Sequence, residues 1–185
     1  MVSPGAGPLR LVCFELRAQE LALPIADVRE TLPVPPITRV FLTPPCLAGV
    51  FSLRGDIVPV IDLGVLIGLP ATAAGDDSKI VVVDPTGGSA PRPAGGAVGV
   101  PTPRLAALDC AAGVFGIVVD RLCDLRTVEP PLEPPPVHLP AEIAGLLAGV
   151  VATPTGSVRV LDARAILSVE PLRQLARADA EGRMS

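Results

Sequence analysis

Apolar residues in this chain gather into short runs broken by Gly and Pro, not into long stripes of helical period. Residues 11–16 and 79–84 are β-rich runs, and each reads as the opening strand of a hairpin. A third run starts at Leu47-Ala48-Gly49-Val50, turns at Arg54-Gly55-Asp56 and resumes through Val58, Val60 and Ile61. The same succession returns 100 positions later. Leu147-Ala148-Gly149-Val150 repeats the tetrapeptide, Val58, Val60 and Asp62 match Val158, Val160 and Asp162, and Leu66-Ile67 matches Ile166-Leu167. A whole apolar pattern kept in register marks an internal repeat.

Each copy predicts a strand, a turn, a second strand and a short helix. The turns use Arg54-Gly55-Asp56 and Pro154-Thr155-Gly156-Ser157, where Gly supplies positive φ and Pro a fixed φ. Asp62 and Asp162 fall at the N-cap positions, where a carboxylate accepts orphan backbone N–H groups, and Gly68 with Pro70 closes the first helix. Upstream, residues 23–30 resemble residues 117–124, and the spacing of Ile25, Val28 and Leu32 predicts one or two helical turns. Proline-rich connectors at 33–36 and 130–136 should be extended and solvated.

The pattern therefore predicts a mainly β domain over 9–170, built as two related β units at about 9–70 and 79–170 that form two small barrels side by side. Residues 85–113, rich in Gly, Pro and Ala, read as a flexible insertion, and 171–185 as a C-terminal helix and tail.

Composition sharpens this picture. Of 185 residues 49% are apolar, yet there are 23 Pro, 18 Gly, four Phe and no Tyr or Trp, so the interior must be Val, Leu, Ile and Ala. A net charge of −4 and the scarcity of aromatics argue against nucleic acid, which calls for a basic face and stacking platforms. Cys13, Cys46, Cys110 and Cys123 share no metal-binding spacing, and the one histidine, His138, has no catalytic partner in sequence, so no metal or cofactor is expected. No phosphate-binding glycine motif is present. No leader segment or membrane span is evident, which predicts a cytoplasmic protein.

Two features invite chemistry. Asp62 and Asp162, one from each copy, have the layout of an aspartic hydrolase dyad. Such dyads place a hydroxyl residue and glycine after each Asp, whereas Leu63-Gly64 and Ala163-Arg164 follow here, which favours capping. Arg54 projects from a turn, either simply solvated or as a contact for a partner. Among Val50, Leu53, Ile57, Val58 and Val60, strand alternation should leave some side chains outward as an apolar strip beside it.

Residues 47–63, LAGVFSLRGDIVPVIDL, closely resemble the signature of CheW-like domains, and Phe115-Gly116-Ile117-Val118-Val119-Asp120 resembles the family's second recognisable stretch. Glu30 falls at its usual acidic position. The resemblance covers about 9–170; Ser52 stands where Asn is common and Gly64 where Arg or Lys is common. It implies two five-stranded, SH3-like β-barrels packed on each other with a few short helices, and a non-catalytic adaptor. It further implies two partners: the cytoplasmic tip of a methyl-accepting chemoreceptor, and the regulatory domain of a CheA-type histidine kinase. The partner-binding residues it points to are Arg54, Glu30, Val50, Leu53, Gly55 and Val58, with the protein held at receptor arrays through its partners.

Overall fold

A computed structural model describes residues 7–72, 75–86, 113–154, 156–170 and 172. Most of the expected insertion (87–112, including Cys110), Thr155, and the tail at 171–185 apart from Leu172 lie outside that set. The first half of the described chain holds β1 (Leu9–Leu16), β2 (Gln19–Pro24), β3 (Val28–Pro33), β4 (Leu47–Leu53), β5 (Asp56–Ile61) and helix α1 (Leu63–Leu66). The second holds β6 (Lys79–Val83), β7 (Phe115–Val119), β8 (Arg121–Val128), α2 (Ala141–Ala144), β9 (Leu147–Thr153), β10 (Gly156–Leu161) and α3 (Ala163–Leu167).

These strands form two five-stranded sheets, ordered β8-β1-β2-β10-β9 and β3-β6-β7-β5-β4. The β2–β10 and β5–β7 ladders are parallel, and the others antiparallel. The sheets do not divide where the repeat does. Hairpin β1–β2 belongs to the 9–70 copy but inserts between β8 and β10 of the other copy, and β6–β7 likewise inserts between β3 and β5. The two five-stranded β units expected from the sequence are present, and each borrows a hairpin across the boundary between 9–70 and 79–170. The physical reason lies in the edges: the repeat unit leaves β5 and β10 with an open parallel edge, and the hairpin of the opposite copy fills it.

Alternation along the central strands explains their unbroken apolar runs. Val81, Val83, Phe115, Ile117 and Val119 face a core shared between the sheets with Phe14, Leu16, Leu23, Ile61 and Leu161. Their neighbours Ile80, Val82 and Val118 point the other way, into a smaller core with Phe51, Val58 and Val60. Leu11, Cys13, Ala22, Val158 and Val160 make the matching small core of the other sheet. Both faces of these strands are buried, so polar alternation is absent.

The two copies agree in local detail. Each has a register shift at the same place, between Leu47 and Gly49 and between Leu161 and Val160 opposite Leu147 and Gly149. In each, the proline-rich connector crosses the first strand and pairs with it, Thr38 with Val50 and Glu133 with Val150. The crossing is why glycine recurs in LAGV: a Cβ on Gly49 would lie 2.3 Å from the Thr38 carbonyl oxygen, and one on Gly149 would lie 2.5 Å from Leu132 Cβ. At the end of α1 the Leu69 N–H donates to the Gly64 carbonyl and Gly68 N–H to that of Val65, with Gly68 at φ 82°, a glycine-closed helix end.

One expected element changes. The segment holding Ile25, Val28 and Leu32 is helical only over Ile25–Asp27, a single 3-10 turn, and then becomes β3. Positions 28 and 32 suit period two as well as helical spacing, and pairing with β6 decides for the strand.

Candidate functional site

The β4–β5 hairpin closes through a two-residue turn, Arg54-Gly55, between the paired Leu53 and Asp56. Both turn residues have positive φ, 53° and 92°, the mirror-image geometry that matches strand twist. Gly55 adopts it freely, but for a residue with a Cβ the left-handed region costs about 1–2 kcal/mol. Arg54 is therefore held in a strained, fixed position at the hairpin tip.

Its guanidinium reaches Glu30 on β3. Arg54 Nη2 lies 3.0 Å from Glu30 Oε2, with the two side chains 73% and 24% exposed. Strands β3 and β4 are the two edges of one sheet, so this contact, with the Thr38–Val50 bridge, records how far the sheet curls. The position in the other copy equivalent to Arg54 is Pro154, so only one of the two hairpins carries the guanidinium.

The surrounding apolar residues sort by depth. Val50 and Leu53 are half-buried, Gly55 is exposed, and Ile57 is 46% exposed. Val58, expected to contact a partner, is 2% exposed and packs with Phe51 and Val60, so it supports the hairpin from within. One exposed apolar pair was not singled out in sequence. Phe41 and Leu42, on the connector between β3 and β4, are 86% and 99% exposed, and Leu42 has φ 63°. Two large apolar residues between prolines, outside any periodic run, are the signal that could have found them. Val137 is similarly exposed on the connector before β9, and Leu125 projects from β8.

Asp62 and Asp162 are engaged in backbone bonds. Asp62 is buried; its Oδ1 accepts from Val65 N–H at 3.2 Å and from the Thr72 hydroxyl at 3.0 Å, and its Oδ2 accepts from Thr72 N–H at 2.6 Å. Asp162 accepts from Arg164 N–H at 2.9 Å and Ala165 N–H at 3.1 Å. Each carboxylate is committed to its own helix start, at the ends of strands in different sheets. His138 lies exposed in a loop, and Arg164 is exposed with its guanidinium 3.3 Å from the Pro85 carbonyl oxygen. Among the described residues no three His, Cys, Asp or Glu side chains cluster to hold a metal ion, and no helix is long and apolar enough to cross a membrane.

The model of the CheW-like domain matches residues 10–170. This chain belongs to the CheW-like family. The chemotaxis protein CheW of Helicobacter pylori is 36% identical over 75 residues, 40% of this chain and 46% of that protein. CheW of Bacillus subtilis is 30% identical over 74 residues, 40% of this chain and 47% of that protein. The chain thus spans about half the length of these curated relatives in the stretches it matches. With CheW of Treponema pallidum the match is longer, 26% identity over 169 residues, 90% of this chain and 86% of the relative. The fold is shared with the scaffolding protein TtCheW from Thermoanaerobacter tengcongensis, with a TM-score of 0.65 at 22% identity, covering 89% of this chain and 95% of that one.

Proposed function

We propose that this CheW-like chain is a non-catalytic cytoplasmic adaptor that couples chemoreceptor tips to the regulatory domain of a CheA-type histidine kinase. The observation that carries this reading is the strained hairpin tip, where Arg54 is preorganised by its turn and by Glu30 while remaining mostly exposed. A guanidinium held in one geometry offers a fork of donors to a partner's carboxylates or carbonyl oxygens, and little ordering entropy is lost when the contact forms. Around it, half-buried Val50 and Leu53 and exposed Gly55 and Ile57 give a mixed surface of the kind non-obligate interfaces use. The capping bonds of Asp62 and Asp162 account for the repeat-related aspartates without any hydrolytic role.

The test mixes the protein with a CheA-type kinase and a receptor signalling fragment, followed by sedimentation and kinase assay. Wild-type protein and the Arg164→Ala control should both enter a ternary complex and raise kinase output. Arg54→Glu should lower both, since it adds repulsion to the lost contact. Full assembly and activation by Arg54→Glu would reduce Arg54 to a turn residue, and peptidase activity lost on Asp→Asn changes at positions 62 and 162 would replace the adaptor reading altogether.

A further inference from the structure

Two thiols lie on adjacent strands at an irregularity in their pairing that nothing in the adaptor reading uses. In the β1–β8 ladder Val12 faces Leu125 and Phe14 faces Leu122, so a single residue of β1, Cys13, stands opposite two of β8, Cys123 and Asp124. Side-chain direction agrees. Glu15, Glu20, Arg121, Cys123 and Arg126 line one open concavity, and Glu15 is two residues from Cys13 on the same strand, hence on the same face. Cys123 is exposed there, and Cys13 is buried in the small core of this sheet with Leu11 and Ala22. The pairs flanking the irregularity are regular antiparallel pairs, whose Cα atoms lie about 4.5–5.5 Å apart, and a disulfide spans roughly 4.4–6.8 Å.

We propose that Cys13 and Cys123 form a thiol pair that closes into a disulfide on meeting a low-molecular-weight disulfide of the glutathione type. Cys123, the reachable thiol, loses its proton and attacks one sulfur of the oxidant. An S–S bond forms to Cys123, the oxidant's own S–S bond breaks, and its first half leaves and takes up a proton as a thiol. Cys13 then loses its proton, attacks Cys123 Sγ and displaces the second half, which also leaves as a thiol. Two protein thiols are oxidised and one disulfide molecule is reduced to two thiols. The bridge pins the bulge of β8, the edge strand that carries exposed Leu125, to the strand beneath it.

Burial pushes the Cys13 thiol up to about 11 and also raises that of Cys123. The charged groups facing the pair act in both directions: Glu15, Glu20 and Asp124 hold thiols protonated, while Arg121 and Arg126 favour the thiolates. Exchange is therefore slow at neutral pH and quickens as pH rises.

The test incubates the 185-residue chain with oxidised glutathione at mildly alkaline pH, with reduced glutathione as the control. Free thiols are then alkylated, and the unfolded protein is mapped by non-reducing peptide mass spectrometry. The expected product is a linked pair of peptides carrying Cys13 and Cys123, lighter by two hydrogens and abolished by reductant. Cys13→Ser should instead accumulate the glutathione adduct on Cys123. A lasting adduct on Cys123 in the wild-type protein, a link from Cys123 to Cys46 or Cys110, or no reaction would each overturn the proposal, whatever the fate of the variant.

Discussion

Arg54 and Glu30 come from opposite edges of one sheet, yet their side chains meet at 3.0 Å. An ion pair this exposed contributes at most about 1 kcal/mol to folding, less than the strain at the Arg54 backbone, which is about 1–2 kcal/mol. Arg54→Gly should therefore leave the melting temperature unchanged or slightly raised. The same substitution should weaken partner binding by about 1–4 kcal/mol, as loss of an interface hot spot does. Calorimetry of folding and of binding, run on one variant, checks both signs; a variant that loses stability and binds normally would reverse this account.

The two caps are equivalent in sequence and unequal in structure. Asp162→Ala should lower stability by about 0.5–2 kcal/mol. Asp62→Ala should exceed it, because the buried Asp62 also holds the backbone and hydroxyl of Thr72. Asp→Ser should recover most of the loss at position 162 and less at 62, since a hydroxyl cannot serve the Thr72 contacts and the helix together. Urea denaturation of the four variants ranks them directly.

Gly49 and Gly149 are both crossed by a connector, so adding a methyl group should destabilise at either site by about 1–3 kcal/mol, the range of overpacking. Gly49→Ala should be the worse of the two, because its Cβ would meet a backbone carbonyl oxygen at 2.3 Å and its φ of 149° disfavours any side chain. At Gly149 the obstacles are Leu132 Cβ at 2.5 Å and the Glu133 carbonyl oxygen at 2.8 Å, but Gly149 carries no positive φ to add to the clash. Melting curves of the two variants should fall in that order.

The borrowed hairpins make a stronger demand. A chain cut at residue 75, between α1 and β6, yields fragments that each lack strands for both sheets. Neither fragment should fold alone, and mixing them should restore β-sheet circular dichroism and a sharp thermal transition. A first fragment that folds by itself would mean that the repeat, not the mixed sheet, is the folding unit.

What was legible in the sequence is what depends on near neighbours. The LAGV strand, its turn, the following strand, the capping aspartate and the short helix are encoded within some twenty contiguous residues in each copy, and the glycine-closed end of α1 needs only Gly68. The assignment of hairpins to sheets rests on the parallel contacts of Val60 with Gly116 and Val160 with Ala22, which no local pattern specifies. Val28 to Leu32 failed for a related reason, since two positions four apart satisfy both periods until a strand partner chooses one. At the site, the hairpin tip and Glu30 were named from sequence, but their meeting depends on the curl of the sheet. The depth of Val58 and the exposure of Phe41 and Leu42 likewise follow from tertiary placement.

The exchange of hairpins also bears on how a docking event is felt. Arg54 and Glu30 lie in the sheet completed by β6–β7, while β1–β2 leads directly into β3 and is seated in the other sheet. Opening either sheet fully means withdrawing a hairpin tethered to its neighbour, so the two sheets share one global unfolding reaction. A ligand that binds only the folded state adds RT ln(1 + [L]/Kd) to that whole reaction. Saturating the Arg54 face should then slow amide exchange at deeply buried sites such as Ala22 and Val160, in the other sheet, as much as at Val60 beneath it.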